Sequence, residues 1–253
     1  MIQSLLVAFA MYSKIPVPAV EWNEKNMRYA LCFFPWVGIV IGAVIYFAGN
    51  LLIQAGVGKI CFSIVMTLLP VILTGGIHMD GFLDTTDALH SYGDKEKKQK
   101  ILKDPDCGAF AVIYCSVYLL LSVAIWSECT KEMLPFIAIT YIVSRTLSAL
   151  SMASFPLARD TGLVAAFQKG ARRKTVQVVM VCYLVVEFLV LAIGSLAMAG
   201  GALLAFVLSF GYHYRLCSKE FGGISGDLAG CFLQVSELLS LTAVCVVGRS
   251  GWM

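Results

Sequence analysis

Charged side chains are scarce in this chain of 253 residues: Asp, Glu, Lys and Arg make up 14% of it, against 59% hydrophobic residues. Soluble globular domains carry about 25% charged residues, so the composition excludes an ordinary soluble fold. No stretch is polar and long enough to form a separate soluble domain. We therefore predict an all-α, polytopic integral membrane helix bundle in which residues 1–253 form a single domain.

Several common kinds of site are also missing from the sequence. The nine cysteines are scattered without a Cys-x-x-Cys pair, which is typical of small buried residues rather than of disulfides or zinc ligands. The three histidines include no pair at a spacing of four, which argues against a zinc site as well. No tail rich in Lys and Arg with interleaved aromatics occurs, so we do not expect nucleic acid as a partner.

Residues 1–12 are apolar but lack the basic region and cleavage site of a signal peptide. They are too few to span a bilayer, and Pro16 and Pro18 end the stretch. We expect a short interfacial or re-entrant helix, followed by about seven transmembrane helices. The predicted spans are 31–54, 60–77, 108–127, 134–154, 176–195, 198–214 and 231–248.

The basic residues fall mainly on one side of these spans. Of 19 Lys and Arg residues, 15 lie in the four loops 13–30, 78–107, 155–175 and 215–230. The positive-inside rule then places these loops and the N-terminus in the cytoplasm and the C-terminus outside. Long lysines in these loops are also expected to contact lipid headgroups.

Candidate charged residues inside the predicted spans are few, namely Arg145, Glu187 and Glu237. A transporter would need polar groups at the midplane and commonly shows internal repeats. We see no clear repeat, so an enzyme facing the cytosol is favoured over a transporter.

The most informative segment follows the second predicted span. Asp80, Asp84 and Asp87 lie at spacings of four and three residues, which places them on one face of a helix. No Lys or Arg occurs from Leu73 to Gly93, whereas a merely solvated helix face usually mixes both signs of charge. Carboxylates arranged in this way repel unless a cation binds among them, and Mg²⁺ bound by carboxylates usually brings a phosphate.

The other loops on the same face supply candidates for phosphate binding. Lys103 and Asp104 precede a proline turn, and Lys103 suits either phosphate or the membrane surface. Arg159 leaves the membrane beside Pro156 and suits bidentate phosphate binding or simple anchoring. Asp227 lies in a glycine-rich loop whose backbone suits close approach to a phosphate. Together these residues favour Mg²⁺-dependent transfer of a phosphate-containing group.

The acidic stretch GGIHMDGFLDTTD, residues 75–87, closely resembles the signature of cobalamin synthase, the adenosylcobinamide-GDP ribazoletransferase family of integral membrane enzymes. Further landmarks of that family follow in the same order over nearly the whole chain. They are KIPV at 14–17, FFPWVG at 33–38, Lys103-Asp104 with Gly108, Arg145, PLAR at 156–159 with Gly162-Leu163, and GGISGD at 222–227.

The resemblance implies transfer of cobinamide phosphate from adenosylcobinamide-GDP to a hydroxyl of α-ribazole or its 5′-phosphate, with release of GMP and a requirement for Mg²⁺. Carried over to this chain, it implies three groups of site residues. These are Asp80, Asp84 and Asp87 as Mg²⁺ ligands, His78, Lys103, Arg159 and Gly226 as substrate or phosphate ligands, and Asp104 and Asp227 as catalytic residues. The chain departs from the family pattern at Asp106, where arginine is frequent, and at Ala111 and Val164, where glycine is frequent.

Two other enzyme classes fit less well. A CDP-alcohol phosphotransferase needs Ala-Arg after its first aspartate motif, and Asp80 to Asp84 lacks it. A membrane prenyltransferase needs two Asp-Asp-x-x-Asp motifs, which are absent. The sequence leaves open the base of the ribazole, the number of Mg²⁺ ions, the general base, and whether the Gly38-x-x-x-Gly42 pair packs within the chain or in a homo-oligomer.

Overall fold

The computed structural model describes residues 1–159, 161, 163–170 and 172–251, and α-helices account for most of this part. We number them α1 (Ile2–Tyr12), α2 (Glu24–Met27), α3 (Phe34–Gln54), α4 (Lys59–Thr74), α5 (Ile77–His90), α6 (Lys95–Ile101), α7 (Ala109–Trp126), α8 (Leu134–Ser154), α9 (Leu163–Gly170), α10 (Arg173–Gly194), α11 (Leu196–Arg215) and α12 (Gly226–Arg249). Among the described residues no β-strand forms, so the predicted all-α fold is confirmed.

Six helical segments are long and apolar enough to cross a membrane, and they contain α3, α7, α8, α10, α11 and α12. The bent pair α4 and α5 makes a seventh if it is counted as one span. The predicted membrane bundle is thus confirmed. The last span begins five residues earlier than predicted, because Ser225 caps α12 by accepting a hydrogen bond from the Leu228 N–H at 3.3 Å.

Helix α8 forms the centre of the bundle, since it packs against α3, α10 and α12. Two glycines allow α3 to approach its backbone closely. A Cβ atom at Gly38 would lie 2.6 Å from the Tyr141 carbonyl oxygen, and one at Gly42 would lie 2.3 Å from that of Ala138. The Gly-x-x-x-Gly pair therefore packs within the chain, and this resolves the alternative that the sequence left open.

The three intramembrane charges are buried near the same helix. Arg145 forms an ion pair with Glu237 and also donates hydrogen bonds to the Tyr141 carbonyl at 3.0 Å and to the Ser144 hydroxyl at 2.9 Å. Glu187 accepts a hydrogen bond from the Thr146 hydroxyl at 2.6 Å. Both carboxylates thus have partners on α8, and removing one member of the Arg145–Glu237 pair would leave an uncompensated buried charge.

The cysteines were predicted to be small buried residues, and this is only partly right. Cys32, Cys217, Cys231 and Cys245 are buried, whereas Cys61, Cys107 and Cys182 are exposed. All nine are free thiols, as expected. The exposed ones lie on outward helix faces or in the turn before α7, where an apolar residue need not be covered by protein.

Helix α5, which carries the acidic residues, turns by 96° from the direction of α4. Gly75 and Gly76 make the corner with φ of 66° and 80°, values that favour glycine. Beyond the corner, α5 packs across α7 and α12. It therefore lies at the loop-bearing end of the bundle, outside the six single-helix spans.

Candidate active site

A cavity of about 260 Å³ opens between α5, the end of α8 and the start of α12, with α1 and α9 closing it. Five of the nine predicted site residues line it: His78, Asp80, Arg159, Gly226 and Asp227. These residues come from the second, third and fourth loops on the predicted cytoplasmic side. The fold thus brings together groups that are up to 149 positions apart in the sequence.

Two close helix contacts set the position of the acidic residues. A Cβ atom at Gly81 would lie 2.7 Å from the Asp227 carbonyl oxygen, and one at Gly230 would lie 3.2 Å from that of His78. Backbones can approach so closely only because neither glycine has a side chain. Asp80 is therefore held beside the first turn of α12, where Asp227 lies.

The three carboxylates of α5 do not share one environment. Asp80 lines the cavity and is exposed, whereas Asp84 and Asp87 are half-buried and lie outside the cavity lining. Asp87 faces Gly108, where a Cβ atom would lie 2.1 Å from both carboxylate oxygens. Asp87 therefore lies against the start of α7, where the helix dipole favours a negative charge.

The electrostatics of Asp84 nevertheless connect these carboxylates. Burial, followed by the charges of Asp80, Asp227 and Asp87, raises the pKa of Asp84 to about 6. Negative charges without a nearby cation cause such a shift. Four carboxylates thus influence one another at this end of the bundle.

Within the part of the chain that the structure describes, no three His, Cys, Asp or Glu side chains converge as a complete metal cage. Mg²⁺ seldom needs one, because it usually binds one or two carboxylates and takes its other ligands from water and substrate phosphates. Burial is the main cause of the raised pKa of Asp84 and the charges of Asp80, Asp227 and Asp87 add to it, so a cation bound among these carboxylates would favour their ionised forms. The donor set therefore fits Mg²⁺.

Arg159 provides a positive charge opposite these carboxylates. Its Nη2 donates a hydrogen bond to the Gln99 carbonyl at 2.9 Å, and its Nε is buried without a partner. The guanidinium interacts electrostatically with Asp227, whose carboxylate also accepts a hydrogen bond from the Ser225 hydroxyl at 3.3 Å. Arg159 therefore retains a free donor for an anionic ligand.

The glycine-rich loop before α12 has a different use from the one predicted. The Ile224 N–H donates to the Pro156 carbonyl at 2.8 Å, and the Ala158 N–H donates to the Ile224 carbonyl at 3.0 Å. A Cβ atom at Gly223 would lie 2.3 Å from the Ala158 nitrogen, so this glycine allows the third and fourth loops to pair. Ile224, Ser225 and Gly226 line the cavity, and no atom of the described residues lies within 4 Å of the Cβ position of Gly226.

Two predicted residues, Lys103 and Asp104, do not line the cavity. Both are exposed in the turn between α6 and α7, and Asp104 accepts a hydrogen bond from the Asp106 N–H at 3.1 Å. Gly162, which carries part of the family resemblance, lies outside the described residues.

Sequence reasoning missed the apolar half of the cavity. Tyr12, Phe34, Met152 and Leu233 line it, and the ring of His78 stacks on that of Tyr12 with centroids 6.3 Å apart. Tyr12 lies two residues before the KIPV segment and Phe34 lies within the FFPWVG segment, so these two were near recognisable motifs. The others cannot be distinguished from ordinary core residues in a sequence that is 59% hydrophobic.

Gln99 was also missed, because it lies in a highly charged helix that is typical of a solvated surface. Its side chain donates hydrogen bonds to the Phe221 carbonyl at 2.7 Å and to the Ala158 carbonyl at 3.4 Å. Its own carbonyl accepts the hydrogen bond from Arg159. Gln99 thus connects the three loops that contribute to the cavity.

Comparison with known proteins agrees with this arrangement. The family model described as cobalamin-5-phosphate synthase matches residues 4–245. No solved structure gives a significant match.

Curated relatives named adenosylcobinamide-GDP ribazoletransferase are similar over nearly their full lengths. The relative from Lachnoclostridium phytofermentans is 43% identical over 97% of this chain and 94% of its own. Relatives from Clostridium botulinum and Desulfitobacterium hafniense are 32% and 30% identical, with at least 94% of each chain covered. This polytopic membrane protein, with its acidic cavity at one end, is a transferase. It belongs to the cobalamin-5-phosphate synthase family, and the expected family membership is confirmed.

Proposed function

We propose that this protein transfers cobinamide phosphate from adenosylcobinamide-GDP to α-ribazole or its 5′-phosphate and releases GMP, with Mg²⁺ as cofactor. The reaction takes place at the cytoplasmic face of a prokaryotic cell membrane. The observation that supports it most directly is the cavity, in which Asp80 and Asp227 face Arg159, in a chain whose relatives carry the ribazoletransferase name.

The transfer replaces one phosphate ester bond by another. The oxygen of a ribose hydroxyl bonds to the phosphorus nearest cobinamide, and the bond from that phosphorus to the oxygen leading to guanosine phosphate breaks. GMP leaves with that oxygen, and a carboxylate accepts the hydroxyl proton. No redox partner is needed.

Asp227 is placed best to orient the hydroxyl and accept its proton. It lines the cavity, its carboxylate is positioned by Ser225, and the charge of Arg159 lies opposite it. Positioned proton acceptors contribute about 10²- to 10⁴-fold to rate. Asp104 stays a prediction for this role, since it lies in the exposed turn before α7.

Arg159 and the start of α12 bind the pyrophosphate oxygens. The Nε of Arg159 has no partner among the residues that the structure describes. The open space at Gly226 allows a phosphate to approach the N-terminal end of the 24-residue helix α12, where the helix dipole stabilises negative charge. Lys103 stays a predicted phosphate ligand.

Mg²⁺ would be held by Asp80 and Asp84, with Asp87 as the third predicted ligand. When bound, the ion neutralises charge on the pyrophosphate and stabilises the leaving phosphate. The large apolar surface of the bundle keeps the enzyme in the membrane, where lipid surrounds it.

The proposal is tested by incubating membranes that contain the protein with adenosylcobinamide-GDP, α-ribazole and Mg²⁺, and measuring cobalamin and GMP. We expect Asp227→Asn to lower the rate by about 10²- to 10⁴-fold, since the proton acceptor is lost. Asp84→Asn and EDTA should each remove most of the activity, and added Mg²⁺ should restore only the EDTA-treated sample.

Asp106→Asn is the matched control, because Asp106 is an exposed aspartate at the same end of the bundle but outside the cavity. It should retain close to full activity. Full activity of Asp84→Asn would show that Asp84 on the acidic helix α5 is not needed to bind the metal. Absence of both products from well-folded wild-type protein would contradict the proposed reaction.

A further inference from the structure

The cavity has a charged part, lined by Asp80, Arg159 and Asp227, and an apolar part, lined by Tyr12, Phe34, Met152 and Leu233. Asp227 and Arg159 lie at the loop end, near the start of α12 and just after the end of α8. Leu233 lies six residues further along α12, and Ser148 lies six residues before the end of α8. At 1.5 Å per residue each is about 9 Å deeper in the bundle.

Two buried polar atoms on the cavity lining have no partner among the described residues. The Nε2 of His78, a residue 4% exposed, and the Oγ of Ser148, which is fully buried, have no hydrogen-bond partner. Both residues line the cavity. Buried polar groups are normally satisfied, so two unpartnered atoms in one cavity indicate a ligand or water that bonds to them.

Size limits which part of the substrates can enter. The cavity volume of about 260 Å³ lies just below the range of about 300–1,000 Å³ that is typical of pockets for drug-sized molecules. A single nucleoside is of suitable size, whereas a corrin ring is far too large. The cavity must therefore receive either the ribazole or the guanosine of the second substrate.

The chemistry of the apolar cavity lining distinguishes these two nucleosides. Guanine carries hydrogen-bonding groups around most of its edge, and leaving them unpaired among Tyr12, Phe34, Met152 and Leu233 would be unfavourable. A benzimidazole has an apolar ring with one free nitrogen acceptor. Aromatic walls and one or two donors suit it well.

We infer that this cavity is the acceptor subsite: α-ribazole enters base first, its aromatic ring lies against Tyr12, Phe34 and Met152, and His78 and Ser148 provide its polar contacts. The inference rests on the proposed function. Base-first entry leaves the ribose at the mouth, beside Asp227, while the corrinoid stays outside at the membrane surface. Ser148 and Met152 are then specificity-determining residues for the base.

The test separates the two substrates. Purified protein in lipid nanodiscs is titrated with α-ribazole alone and with GMP alone while its melting temperature is followed. KM is then measured for each substrate in turn. We expect α-ribazole to raise the melting temperature of the wild type, and any shift caused by GMP, which binds outside this cavity, to be the same in the wild type and in Ser148→Val.

Ser148→Val adds a larger apolar side chain to the cavity lining, so α-ribazole should no longer raise the melting temperature. Ser148→Ala removes one hydrogen bond and should raise KM for α-ribazole by about two- to tenfold, with KM for adenosylcobinamide-GDP unchanged. Ser236→Ala is the matched control, because Ser236 is equally buried, bonds only to the Leu233 carbonyl and lies outside the cavity. If Ser148→Val fails to fold, the KM values of Ser148→Ala and the wild-type titrations still show which nucleoside binds in the cavity.

A shift with GMP but not with α-ribazole, or a KM change confined to adenosylcobinamide-GDP, would assign the cavity to guanosine and overturn the inference. A shift with neither compound in an active enzyme would overturn it as well. Lack of turnover by the wild type, with a clear shift for α-ribazole, would instead count against the proposed reaction.

Discussion

Single residues decide where each carboxylate of α5 points. Asp80, Asp84 and Asp87 share one helix face, yet Asp80 lines the cavity and Asp87 lies against Gly108. Glycine at position 108 is what makes the second contact possible. The role of Asp87 is therefore coupled to the identity of a residue in another loop.

Gly108→Ala tests this coupling. The added methyl would lie 2.1 Å from both oxygens of Asp87, so either the carboxylate or the start of α7 must move. We expect a loss of about 1–3 kcal/mol in unfolding free energy, together with reduced activity. Chemical unfolding in detergent and the GMP assay measure the two effects.

Gly200→Ala is the control for Gly108→Ala, because Gly200 lies in α11 with no atom within 4 Å of its Cβ position. That change should be neutral or slightly stabilising, by up to about 1 kcal/mol. Equal behaviour of the two variants would show that Asp87 does not depend on close contact with Gly108.

Among the helices, the short α6 does not line the cavity but positions a residue that does, Arg159. The ion pair of Lys98 and Glu220, 2.5 Å apart, fixes α6 to the π-helical segment Leu216–Phe221. Gln99 then joins that segment to the third loop, and its carbonyl orients Arg159. A helix whose composition is typical of a solvated surface thus holds in place the guanidinium of Arg159, the proposed phosphate ligand.

Gln99→Ala should therefore reduce activity although Gln99 does not line the cavity. Losing its two side-chain hydrogen bonds lets the loops shift, and small misplacements of catalytic groups can cost about 10²-fold. We expect a reduction of about 10- to 100-fold in kcat/KM, with little change in expression. Steady-state kinetics measure the effect.

Lys100→Ala provides the comparison for Gln99→Ala, since Lys100 is the exposed neighbour on the same helix. It should leave kcat/KM nearly unchanged. A similar loss in both variants would mean that α6 acts through its overall charge, as expected for headgroup binding, rather than through Gln99.

The predicted orientation of the whole molecule in the membrane can be tested with two of its own exposed cysteines. Cys107 is exposed in the loop after α6, and Cys61 is exposed near the start of α4, at the other end of the bundle. The positive-inside rule places Cys107 in the cytoplasm and Cys61 outside. Each cysteine therefore reports on one side.

A membrane-impermeant maleimide applied to intact cells or spheroplasts should label Cys61 and not Cys107. In inside-out vesicles the pattern should reverse. Cys61→Ala and Cys107→Ala variants identify the labelled residue. Labelling of Cys107 from outside would show that the topology is opposite to the predicted one and that the cavity lies on the outer face.

Much of the fold could be predicted from the sequence, because membrane spans depend on a simple property, the length of apolar stretches. The acidic helix and the nearness of Asp80, Arg159 and Asp227 were also accessible, since all belong to loops on one side. The apolar lining was not, because Met152 and Leu233 have the same pattern as core residues, and Phe34, although part of the FFPWVG segment, gives no sign of a cavity. Nor was the bend at Gly75 and Gly76, which directs α5 across the bundle rather than away from it.

The most direct test of the account is whether GMP release requires the acceptor. Membranes with the wild-type protein, adenosylcobinamide-GDP and Mg²⁺ are assayed for GMP and cobalamin with and without α-ribazole. A transferase with a dedicated acceptor cavity should release GMP only when α-ribazole is present, with one cobalamin formed for each GMP. Equal GMP release without α-ribazole, or GMP without cobalamin, would show hydrolysis instead and contradict the account.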